Sequence, residues 1–178
     1  VRPYPGKNRR LNEFRQKDIV AVGWPGIGDL TGRSREELKR LLSQPPYSYK
    51  DRELGNHYAT IDILVNRIQP GDLVLVPDGD DIYFAEITSG YLYDPTVDNS
   101  TDGYPHQRTV AWFPVSVSRN DLSKELRVSL RAPRTAADLS HHIREIDALA
   151  HGRVFSPDQA DSSGVTQVSY PLRPSYTI

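Results

Sequence analysis

The chain has 178 residues, a net charge of −1 at pH 7, 37% hydrophobic residues and no cysteine. Its length suits one domain with a real core plus a tail. The missing cysteine excludes disulfides and thiolate sites and fits a reducing compartment. No apolar run approaches the ~18 residues of a membrane span, and no signal-peptide core opens the chain. A sequence that starts at Val1 and contains no methionine is expected to be a fragment or a processed chain.

The small net charge hides an uneven distribution. Residues 1–17 carry Arg2, Lys7, Arg9, Arg10, Arg15 and Lys17 against Glu13 alone, whereas 71–102 hold eight acids and no base. Local basic faces of this kind meet phosphate, or are simply solvated surface.

In chain order, residues 1–5 suit an edge strand limited by Pro3 and Pro5. Residues 8–16 read as a short basic helix with Leu11 and Phe14 inward. A strand over 18–22 leads into Gly23-Trp24-Pro25-Gly26-Ile27-Gly28-Asp29. Ser34 and Glu37 form a capping box, so a helix starts there and stops at Pro45-Pro46. Ile61, Leu64, Val65 and Ile68 recur at helical spacing between 56 and 69, ending at Pro70-Gly71.

The run 70–94 predicts a hairpin: Leu73–Val76, a turn at Asp78-Gly79-Asp80-Asp81, and an alternating strand over 82–88. It passes straight into Gly90-Tyr91-Leu92-Tyr93. A polar loop over 94–105 follows, then a strand over 108–117 and a helix over 121–130. Thr135 is expected to cap a last helix with Leu139, Ile143, Ile146 and Ala150 inward. Residues 154–178 read as a linker or tail. The expected class is α+β, a small partly open β-barrel with flanking helices, with the domain over 1–153.

The catalytic and metal motifs are incomplete. The turn over 23–28 lacks the Lys-Ser/Thr of a P-loop, and Asp29 repels phosphate. Asp72 and Glu86 lie on neighbouring strands, but Thr88 stands where a metal-dependent nuclease needs lysine. The histidines lack zinc spacing. The expectation is therefore no enzyme, no metal and no cofactor. The aromatics say more. Ten tyrosines and two tryptophans offer flat faces with polar edges, which stacking on a nucleobase requires. Trp24 in its Gly/Pro turn suits a pocket or simple packing; Tyr91, Tyr93 and Tyr104 flank the long loop; Trp112 reads as core.

The series Ile19–Trp24 with Gly28-Asp29-Leu30, Pro70–Pro77, Ala85–Tyr93, His106–Trp112 and Arg119–Leu130 resembles the N-terminal domain of Mrr-type restriction endonucleases. That domain is similar to the EVE, YTH and PUA-like group, including modified-DNA readers at the N-termini of some McrB proteins. The resemblance covers about residues 1–150. It implies a PUA/EVE-like barrel that flips a modified base (methylated or hydroxymethylated cytosine, or methyladenine) into an aromatic cage. Trp24 would be one wall and Tyr91, Tyr93 or Tyr104 another, with Asp29 accepting from an exocyclic amine. It also implies a prokaryotic, cytoplasmic restriction system and a C-terminal nuclease domain beyond residue 154. Asp94, Asp98 and Asp102 depart from the pattern, since a loop approaching DNA should not carry acids.

Three readings follow: a reader of modified double-stranded DNA, a regulatory module for a small ligand or protein partner, and an RNA modified-base reader. For the first, Arg2, Lys7, Arg9 and Arg10 would face the DNA backbone, joined by Arg108 near the pocket mouth, while the acidic hairpin tip points away.

Overall fold

The computed structural model describes residues 9–131 and 135–155 and the backbone of 175–177. The expected edge strand over 1–5 lies outside them. Helix α1 (Leu11–Gln16) buries Leu11 and Phe14 as their spacing requires, and strand β1 (Ile19–Val22) is buried along its length. Ser34 starts α2 (Arg35–Ser43) through a complete capping box: its hydroxyl accepts from the Glu37 N–H, and the Glu37 carboxylate accepts from the Ser34 N–H. Gln44 closes that helix immediately before the two prolines.

Helix α3 (Asp51–Asp62) begins five residues before the expected 56 and turns into a π-helical segment, Ile63–Arg67. The apolar stripe still faces inward, with Ile61, Leu64 and Ile68 at 0–1% exposure. Five-residue hydrogen-bond spacing leaves carbonyls without their usual partners. Arg108 supplies donors, from Nε to the Leu64 carbonyl (2.6 Å) and from Nη2 to the Val65 carbonyl (2.9 Å).

The hairpin is β2 (Leu73–Asp78) with β3 (Asp81–Ile87). Strand β5 (His106–Ser118) pairs with β1 and the short β4 (Leu92–Tyr93) through its first residues. Its remainder pairs with β3, with a register shift between Tyr83 and Ala85. A bulge of that kind bends the ladder, and the sheet curls into a mostly antiparallel half-barrel. Its order is β1–β5–β3–β2–β7–β6, where β6 is Ala137–Asp138 and β7 is Ser175–Thr177. The architecture is α+β, as the sequence predicts.

Both faces of the hairpin are covered. Val74, Val76, Ala85 and Ile87 meet α1, β1 and the π segment. Leu75, Ile82 and Phe84 meet α4 (Lys124–Ser129) and α5 (Ile143–Ala150). A third cluster, Leu30, Leu38, Leu42, Ile61 and Val65, locks α2 onto α3. Glu145, 3% exposed, accepts from the Ser123 N–H and hydroxyl and so ties the start of α4 to α5.

The last helix differs from expectation. Thr135 does not cap it; Ala137–Asp138 form a strand, a 3-10 turn spans Ser140–His142, and α5 starts at Ile143. Asp138 does the local capping, accepting from the Ser140 N–H at 2.9 Å. Within the stretch read as a tail, Ser175–Thr177 pairs in parallel with β2 and antiparallel with β6.

Candidate functional site

Strand β1 ends at Val22, and two residues later Trp24 adopts φ +61°. A bulky aromatic residue in the left-handed region costs roughly 1–2 kcal/mol and persists only where its surroundings hold it. His106, the first residue of β5 and 0% exposed, is the holder. Its Nε2 lies 3.3 Å from the Trp24 carbonyl and its Nδ1 2.8 Å from the Tyr91 hydroxyl. The carbonyl can only accept, so Nε2 carries the proton and Nδ1 accepts from Tyr91. Tyr91 in turn accepts from the Leu30 N–H at 3.3 Å. Burial holds the His106 pKa down at about 4, so the ring is neutral at pH 7.

The second wall comes from the link between α2 and α3. Tyr47 and Tyr49 alternate along it, and Ser48 between them has φ +57°. Tyr47 donates to the Pro25 carbonyl at 2.7 Å, pinning this link to the Trp24 turn. Burial pushes the Tyr49 hydroxyl pKa up, opposed by a hydrogen bond from the Trp24 indole. Helix α3 adds His57, stacked on Tyr49 at 3.9 Å and 16° and inclined 75° to Trp24 at 5.5 Å.

The third wall is the loop over 99–103. Gly103 lets it close: a Cβ there would lie 2.5 Å from the Asn99 carbonyl oxygen and 2.6 Å from that of Val97. Arg10 fastens the loop, donating to the Asp102 carboxylate and, at 3.4 Å, to its carbonyl. Together Gly23, Trp24, Pro25, Tyr47, Tyr49, His57 and residues 100–103 line an open cavity of about 280 Å³. That is near the lower end of small-molecule sites, room for one planar heterocycle. Among the described residues no group of three or more His, Asp or Glu is placed to hold a metal.

Of the expected cage, the structure places Trp24 in this cavity and the others elsewhere. Tyr91 lies behind the turn, on His106. Tyr93 donates to Asp98, whose other oxygen accepts from the Gly26 N–H at 2.6 Å. Tyr104 is 2% exposed, packs edge-on against Phe14 and donates to Glu13, so it is a core residue and not a cage wall. Asp29 is exposed and accepts from the Thr31 N–H and hydroxyl, which lower its pKa; it does not line the cavity. Tyr47, Tyr49 and His57 were missed, although the Tyr-Ser-Tyr alternation was a signal.

The expected phosphate contacts need correction too. Arg108 is 2% exposed, its guanidinium turned to the carbonyls of Leu64, Val65 and Ser89, and therefore stands at no pocket mouth. Burial lowers its pKa to about 10, which leaves it charged at pH 7. Arg10 has a side chain only 17% exposed and is paired with Glu13 and Asp102. Arg9 is 68% exposed but forks onto Asp78. Arg2 and Lys7 lie outside the described residues.

A family model described as a domain of unknown function, DUF8426, matches residues 4–132. The chain belongs to the DUF8426 family. No curated protein and no solved structure matches the chain. All three walls of the cavity fall within the DUF8426 span, whereas β6, α5 and β7 follow it. Among the described residues no helix is long and apolar enough to cross a membrane.

Proposed function

We propose that this domain reads modified DNA by taking one extruded base into the Trp24 pocket. The observation that carries the reading is the cavity itself, lined by Trp24, Tyr47, Tyr49 and His57 and bounded by a strained turn. Strain of this kind concentrates at ligand sites because surrounding contacts must hold it. Extruding a base costs a few kcal/mol, and stacking returns roughly 1–3 kcal/mol per ring contact. The curled sheet with outer helices is compatible with the PUA/EVE-like barrel of the resemblance. In that setting the domain directs a nuclease of a restriction system to modified sites.

The loop acids that argued against DNA are engaged by their own surroundings. Asp94 accepts from Thr96. Asp98 accepts from Tyr93 and Gly26, and Asp102 from Arg10. The test is binding of oligonucleotides carrying 5-methylcytosine, 5-hydroxymethylcytosine, N6-methyladenine or no modification. Trp24→Ala should lose at least ten-fold in affinity for the preferred probe while staying folded; wild-type affinity in that variant refutes the pocket.

One observation favours a second reading, a free planar ligand in the same pocket: Arg9 and Arg10, the cations expected to meet phosphate, pair with acids of the domain. Salt separates the two, since phosphate contacts make log affinity fall steeply with log salt and a neutral ligand shows almost no slope. Competition between DNA and RNA probes of one sequence separates DNA reading from RNA reading.

A further inference from the structure

Most polar groups around the pocket are occupied. Tyr47 donates to Pro25, and Asp102 receives Arg10. His57 differs. Its side chain is 32% exposed and lines the cavity, and its Nε2 lies 3.9 Å from the Glu53 carboxylate, beyond hydrogen-bond distance. Neither ring nitrogen has a hydrogen-bond partner among the described residues. A neutral imidazole offers one N–H donor and one lone-pair acceptor. Burial lowers the His57 pKa and favours that neutral form. The Glu53 carboxylate on the Nε2 side attracts the proton there and leaves Nδ1 as the acceptor.

Ring geometry divides the labour. An indole and an imidazole inclined at 75° cannot both stack on one flat ligand. With Trp24 supplying the stacking face, His57 addresses the ligand's perimeter.

We propose that His57 is the specificity-determining residue of the pocket, accepting a hydrogen bond from the exocyclic amine of the bound base. This rests on the base-reading proposal above and deepens it: the pocket takes amino-bearing bases, cytosine or adenine types, and rejects their oxo counterparts. Thymine differs from 5-methylcytosine at this edge while keeping the methyl group, and hypoxanthine stands in the same relation to adenine.

The experiment measures wild type, His57→Phe, His57→Asn and Trp24→Ala on single-stranded oligonucleotides. The probes contain 5-methylcytosine or thymine, and adenine or hypoxanthine, at one position. Wild type should prefer the amino member of the pair it binds by about ten-fold, the scale of one hydrogen bond. His57→Phe keeps a ring but no acceptor, so the preference should fall to within about two-fold; His57→Asn, which retains an acceptor, should restore part of it. Trp24→Ala should lose both members together. If Trp24→Ala loses binding while folded His57→Phe keeps the full preference, the His57 assignment is wrong and the reader survives. If His57→Phe does not fold, a folded His57→Ala measured in its place decides: an undiminished preference for the amino member overturns the assignment. Failure of wild type to bind either pair overturns both proposals.

Discussion

His106 makes stability depend on pH in a way that one substitution isolates. Buried between the Trp24 carbonyl and the Tyr91 hydroxyl, its imidazole has a pKa of about 4, against 6.5 for an ordinary histidine. Burial is the main cause, opposed by the Trp24 carbonyl and the charges of Asp98 and Asp29. Between pH 6.5 and 4 the unfolded chain binds a proton that the folded chain refuses. Stability therefore falls as pH falls through that window, and the loss is complete below 4. At about 1.4 kcal/mol per pH unit the full effect is about 3 kcal/mol. Urea unfolding from pH 7.5 to 3.5 should show wild type losing about 3 kcal/mol more than His106→Gln, which does not titrate and keeps a donor for Trp24. Glu13, with its pKa near 2, and the depressed histidines 57 and 142 act in both proteins and cancel in the difference. Parallel pH curves would show that His106 does not carry the buried neutral imidazole on which the Trp24 turn rests.

Two further substitutions test the supports of the pocket. Arg108→Ala leaves the carbonyls of Leu64, Val65 and Ser89 without their donor and should cost about 3 kcal/mol or more in chemical denaturation. Arg108→Lys, lacking the planar fork, should recover only part of that loss. Gly103→Ala drives a Cβ against the backbone of Asn99 and Val97, so it should destabilise by about 1–3 kcal/mol and weaken ligand binding through a displaced wall; unchanged melting and affinity would contradict the close approach.

Helix α2 and the hairpin were legible because their signals are local: the Ser34–Glu37 box, the prolines after α2, and the turn between two apolar strands. Trp24 was legible for the same reason, as a bulky ring placed in a Gly/Pro turn. Its partners were not. Tyr47 and Tyr49 sit in a proline-rich link whose direction depends on α2 packing against α3 through Leu38, Leu42 and Ile61. His57 lies off the apolar stripe of α3, so helical periodicity passes over it. Tyr104 looks like a loop residue until Gly103 pulls that loop onto Phe14. Arg108 reads as a surface base because the carbonyls that bury it come from a π segment 43 and 44 residues earlier, and no local pattern announces such a segment. The loop acids read as a phosphate-repelling patch, since sequence does not show which donors already hold them.

The pairing of Arg9 with Asp78 and of Arg10 with Asp102 also bears on how the polypeptide ages. Asp78-Gly79 and Asp102-Gly103 are the two Asp-Gly steps in the sequence, and a following glycine makes an aspartate especially open to succinimide formation and isoaspartate. That reaction needs the side-chain carboxyl carbon to swing onto the glycine amide nitrogen. Each carboxylate is instead gripped by one of two consecutive arginines, and the Gly103 amide donates to the Asn99 carbonyl at 3.1 Å. The basic segment thus shields two chemically weak links of the chain, one at the hairpin tip and one in the pocket wall, and isomerisation at either is confined to molecules in which its clasp has opened.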